Sequence, residues 1–218
     1  CNIAIGQVAL SKNTASNNTA IGANVMEENT SGTCNTAVGT CALKTQTTAN
    51  QNTAIGMLSM TATTSGIRNV AVGRQSMCAN TTGCCNVAMG SNALASGTTG
   101  DFNVAVGGAA LGSVNTGNCN TAIGACAMHV NTSGAQNTAV GMCSLSSNTT
   151  ASNNTAVGRN SMRDTTTGSD NTAVGESSLR ENETGCCNVA VGENAMTVNT
   201  TGCFNTSIGS FSLHNNTT

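Results

Sequence analysis

Proline, tryptophan and tyrosine are absent from this 218-residue chain, and three phenylalanines bring the aromatic share to only 1%. A core without large rings must be assembled from small and aliphatic side chains. Charged residues amount to 7% and sum to a net charge of -2, so no basic stripe is available to follow a phosphate backbone. That balance excludes electrostatic nucleic-acid binding. No apolar run approaches the roughly 20 residues that cross a bilayer, so no membrane span is expected. The twelve cysteines include no Cys-x-x-Cys pair, and without convergent ligand spacing a zinc site is not expected. No G-x-x-x-x-G-K-[ST] phosphate loop and no glycine-aspartate calcium nonapeptide occurs.

What is present is a clock. A phrase of Asn, Thr or Val, Ala, a branched aliphatic and Gly starts at Asn2 and again at Asn18, Asn35, Asn52, Asn69, Asn86, Asn103, Asn120, Asn137, Asn154, Asn171, Asn188 and Asn205. After a first step of 16, every step is 17 residues. A fixed short period that fills a chain marks a solenoid, each repeat being one coil stacked on the last. The expected fold is therefore all-β: a parallel β-solenoid of about 13 coils over residues 1–218, one repeat domain without a linker.

With the recurrent Asn as position one, position three is Ala in every repeat until Ser207, and position five is always Gly, which suits a bend. Position nine is always Leu or Met: Leu10, Met26, Leu43, Met60, Met77, Leu94, Leu111, Met128, Leu145, Met162, Leu179, Met196 and Leu213. These form the expected core ladder. Positions twelve to fifteen resemble N-T-T-G, which is turn chemistry. Two short strands per coil follow, at positions two to four and roughly seven to nine.

The Asn at position one carries both amide donors and an acceptor, and stacked copies can bond to one another; the alternative is simple tolerance of the turn. Ala at three and the aliphatic at four point to opposite faces of a strand. With the aliphatics inside, the alanines form an outer stripe that invites a second chain; alternatively both straddle a corner and lean inward.

Stacked like positions lie about 4.8 Å apart, within reach of a disulfide. This pairs Cys126 with Cys143 and Cys186 with Cys203, while Cys34 and Cys41 lie seven residues apart across a coil. The alternative is buried thiols acting as small hydrophobes. Disulfides imply an oxidising, extracellular setting. Asn-x-Ser/Thr sequons recur at position twelve, at Asn29, Asn80, Asn131, Asn148, Asn182, Asn199 and Asn216, where a surface turn would accept a glycan, although N-T-T-G is also simply a good turn.

No catalytic constellation converges. His129 and His214 fall five coils apart, and Asp164, Asp170, Glu176 and Glu181 occupy variable positions suited to a solvated face. Neither an enzyme nor a cofactor is expected.

The phrase N-V-A-V-G at Asn69 to Gly73, and again at Asn103 and Asn188, resembles the YadA-like head repeats of trimeric autotransporter adhesins, and similar N-T-A-V-G repeats occur in phage and giant-virus fibre proteins. The resemblance runs the length of the chain. It implies a left-handed parallel β-roll, three chains side by side and display on a cell or virion surface. It further implies that Val72, Val106 and Val191 lie inside the roll, with Ala71, Ala105 and Ala190 near a neighbouring chain.

Cys1 occupies the last position of a coil and Thr218 position fourteen, and open ladder edges favour head-to-tail stacking. The expected function is a non-catalytic structural subunit of an extracellular fibre, partnered by copies of itself head-to-tail and laterally. The alternatives are a bacterial or viral surface adhesin that binds host matrix or glycans, and an ice-binding solenoid.

Overall fold

The computed structural model of the chain describes residues 1–113 and 115–217. Among the described residues every regular element is a β-strand of three residues. The chain forms two compact units, Cys1–Ala109 and Ala110–Thr218. The first holds β1 (Ile3–Ile5), β2 (Thr19–Ile21), β3 (Thr36–Val38), β4 (Thr53–Ile55), β5 (Val70–Val72), β6 (Val87–Met89) and β7 (Val104–Val106). The second holds β8 (Thr121–Ile123), β9 (Thr138–Val140), β10 (Thr155–Val157), β11 (Thr172–Val174), β12 (Val189–Val191) and β13 (Thr206–Ile208).

Within each unit the strands pair in parallel with their neighbours in sequence, and Ala stacks on Ala: Ala37 on Ala54, Ala71 on Ala88, Ala156 on Ala173. This is the expected parallel β-solenoid. β-branched residues at positions two and four favour the extended backbone, and the Gly at five ends it.

Position five takes φ between 119° and 136° in all coils, a conformation that L side chains rarely adopt. The corner is also tight. A Cβ built on Gly73 would lie 2.5 Å from the Gly90 carbonyl oxygen one coil away.

The expected second strand at positions seven to nine does not form, and this corrects the two-strand coil. Positions seven and nine both have left-handed backbone, as in Cys41 (φ 59°) and Leu43 (φ 49°), which no extended strand accommodates. Two turns replace it. Ser59 N–H donates to the Gly56 carbonyl at 3.3 Å and Thr63 N–H to the Met60 carbonyl at 3.2 Å.

Bonds between coils nevertheless continue through this segment. Leu43 N–H donates to the Ser59 carbonyl of the next coil at 3.0 Å, and Cys41 N–H to the Ala23 carbonyl of the preceding one at 3.0 Å. Backbone groups are thus satisfied around the coil although only three residues per coil are strand.

The interior also differs from the expected pairing of faces. Position-three alanines from Ala20 to Ala190 are fully buried, whereas position four points outward, with Ile55 and Ile123 each 40% exposed. In a three-residue strand the two outer residues share one face and the middle residue takes the other. A narrow coil admits Ala there and fills the remaining space with Leu or Met from position nine. Val72, Val106 and Val191 are accordingly half-buried on the outer face, and Ala71, Ala105 and Ala190 lie inside their own coil, the reverse of what the resemblance implies.

Candidate functional site: the strand face and the side-chain ladders

The core ladder is built as expected. From Met26 to Met196 the position-nine side chains are at most 3% exposed, while Leu10 is at the edge of burial and Leu213 is exposed. Every one has φ between 45° and 52°. That geometry is hardest on β-branched residues, which explains why this apolar column contains Leu and Met but never Val or Ile.

The Asn at position one forms a true ladder. Asn35 N–H donates to Asn18 Oδ1 at 3.0 Å, while its own Nδ2 donates to the Ala49 carbonyl at 2.9 Å. The second unit repeats the arrangement: Asn154 N–H donates to Asn137 Oδ1 at 3.0 Å, and its Nδ2 to the Gly168 carbonyl at 2.9 Å. Each buried amide therefore ties one coil to the last and closes its own coil.

The sequon asparagines form a second buried ladder, which corrects the surface-turn reading. Asn29, Asn80, Asn131, Asn148, Asn182 and Asn199 are at most 2% exposed. Asn148 Nδ2 donates to Asn131 Oδ1 at 2.7 Å, and Asn199 Nδ2 to Asn182 Oδ1 at 2.8 Å. The nitrogen a glycan would occupy faces the coil interior and is already engaged. Asn216, half-buried, donates to Asn199 Oδ1 at 2.8 Å, and Thr218 of its sequon lies outside the described residues.

Two further ladders complete the coil: the threonine column, legible in the sequence and the basis of the ice-binding alternative, and one at position sixteen that sequence reasoning missed. Threonine hydroxyls at position thirteen donate to the carbonyl of the same position one coil on, as from Thr30 to Thr47 at 3.0 Å and from Thr149 to Thr166 at 3.0 Å. At position sixteen a backbone N–H donates to the side chain of the next coil: Cys84 to Asp101 Oδ1 at 2.7 Å, Ser152 to Ser169 Oγ at 3.0 Å, Cys186 to Cys203 Sγ at 3.0 Å. Recurrence of Asn, Asp, Ser and Cys at this position was the available signal, since all carry a short acceptor.

All twelve cysteines are free thiols in the structure. Cys126 and Cys143 stack at position seven, where Cys143 N–H donates to the Ala125 carbonyl at 3.0 Å. Cys34 and Cys41 occupy separate turns of left-handed backbone. Cys186 and Cys203 are brought together, with sulfurs 2.7 Å apart. The Cys186 thiol is pushed from its ordinary 9.0 up to about 12, first by the hydrogen bond with Cys203, then by desolvation, then by Cys187.

An exposed feature that recurs from coil to coil is the outer strand face. In β2 to β6 it presents Thr or Val at position two beside Ile, Val or Met at position four, with Ile21 36%, Ile55 40% and Met89 46% exposed. In β8 to β13 it presents the same columns, including Ile123, Val157 and Val174. No charged residue interrupts either column.

Charge lies at other positions, some of it in exposed or half-exposed pairs such as Lys12 with Glu28 and Arg159 with Glu176. His214 Nδ1 lies 3.3 Å from the Asn194 carbonyl oxygen and its ring packs on Phe211 at 5.6 Å. Among the described residues no group of three or more His, Cys, Asp or Glu is placed to hold a metal ion, and no helix is long and apolar enough to cross a membrane. No protein-family model, curated protein or solved structure matches the chain.

Proposed function

We propose that the chain is a non-catalytic structural subunit of an extracellular or surface-borne fibre, and that the strand face packs laterally against another copy. The observation that carries this reading is the uncharged, regularly stepped column of partly exposed Ile, Val and Met at position four. Apolar columns of this regularity mark association surfaces more often than solvated ones. Each copy added would cover several aliphatics at up to about 1.5–3 kcal/mol per fully buried side chain, less for those already half-shielded. Polar interiors and short strands leave the coils a thin apolar core, and a lateral partner adds to it.

Sedimentation and negative-stain microscopy of the wild-type chain and an Ile55→Lys/Ile123→Lys variant test the proposal. The wild type is expected to form laterally associated particles and the variant to disperse, with circular dichroism unchanged because both side chains point outward. A wild type that stays monomeric at high concentration, or a variant that associates equally well, overturns it.

A further inference from the structure

Position sixteen does more than complete a hydrogen-bond ladder. Its side chain leans back onto the preceding coil to accept that coil's position-sixteen N–H, so two cysteines at consecutive copies must approach through their sulfurs. Cys203 Sγ accepts the Cys186 N–H at 3.0 Å and lies 2.7 Å from Cys186 Sγ. Both side chains are partly exposed. Cys84 provides an internal contrast. It occupies the same position and its sulfur accepts the Ile67 N–H at 3.4 Å, but its stacked neighbours are Ile67 and Asp101, which carry no thiol.

We propose that Cys186 and Cys203 are a built modification site, oxidised by exchange with a small-molecule disulfide of the glutathione type into a covalent clasp between two consecutive coils. The inference is independent of the fibre reading, since it needs only one copy of the chain.

The chemistry balances in two steps. Cys203 loses its proton to solvent, and its thiolate attacks one sulfur of glutathione disulfide, forms a mixed disulfide and expels the first glutathione thiolate. Cys186 then loses its proton to solvent, attacks the Cys203 sulfur and expels the second. Two protein thiols are oxidised by two electrons, and one glutathione disulfide is reduced to two thiols. The order follows from the contact, in which the Cys186 thiol donates to the Cys203 sulfur at 2.7 Å while the Cys203 thiol has only the longer approach to the Thr201 carbonyl at 3.6 Å. Cys187, the thiol next in sequence to Cys186, is the competing partner that the test must separate.

The reduced full-length chain, folded or in urea, is incubated with oxidised glutathione, blocked with N-ethylmaleimide and cleaved at glutamate. Cleavage after Glu183 and Glu193 separates Cys186 and Cys187 from Cys203. The folded wild type is expected to yield the two peptides joined, about 2 Da below their summed mass. Cys187→Ser should keep the link. Cys186→Ser, which introduces a residue that position sixteen already holds at Ser152 and Ser169, should lower its yield at least about tenfold and leave glutathione on Cys203. Cys84 should end as a thiol or a glutathione adduct. Absence of the link in the folded wild type, equal yield in urea, or full yield in Cys186→Ser overturns the proposal.

Discussion

Polar side chains carry as much of this architecture as apolar ones, and the ladders show it where they fail. At position twelve the buried Asn148 Oδ1 has no donor, because the next coil offers Thr165, whose own Oγ1 is buried without a partner. Thr165→Asn would supply an amide to Asn148 and an acceptor for Asn182. It is expected to stabilise the second unit by about 1–2 kcal/mol, read as a higher urea midpoint with an unchanged slope; a lower midpoint would refute the ladder account. Cys186 makes a pH statement at the same scale. Its folded value is raised, so folding favours the neutral thiol; that contribution is complete below about pH 9 and is lost as pH climbs towards about 12. Peptide-resolved alkylation of Cys186 in the folded chain should therefore lag behind that in the urea-unfolded chain across this window.

At the scale of the element, the coil depends on its Gly corner more than on its strand. Gly73→Ala would combine φ 134° with a Cβ 2.5 Å from the Gly90 carbonyl oxygen, a backbone atom that cannot yield without separating two coils. A loss of about 3 kcal/mol or more is expected in chemical denaturation. The period, the parallel stacking, the position-nine core and the position-one amide ladder were legible in the sequence, because each recurs at a fixed place and each residue type has few structural uses. The turn at positions six to nine was not. Small-then-aliphatic alternation has the same pattern in a strand and in left-handed turns, and only the exclusion of Val and Ile from position nine marks the difference. The position-twelve asparagines misled for a related reason: N-T-T-G has the composition of an exposed turn, yet the Asn side chain folds under the turn while the threonines stay outside. The inverted strand faces came from assuming that the larger residue fills the interior, where a three-residue strand has room only for Ala.

At the scale of the molecule, among the described residues the strands contact only their neighbours in sequence, so stability within each unit is a sum of local coil terms and coil-to-coil interfaces. Hydrogen exchange in the Gly73→Ala variant should accelerate most in the coils of β5 and β6 and return to wild-type rates within a few coils on either side. Uniform acceleration would show a cooperative body instead. The amide ladders carry one more implication. Where two amides of an Asn row bond, the later coil donates to the earlier, from Asn35 to Asn18 in the first unit and from Asn199 to Asn182 in the second, so within each unit the bonded side-chain dipoles share one heading. A row with a heading has dissimilar termini, one offering hydrogen and the other lone pairs. Two copies meeting end to end in opposite senses would set like against like, whereas copies in the same sense would extend the row. Any polymer grown this way is vectorial, with a fast and a slow tip, as an arrow has a point and a nock.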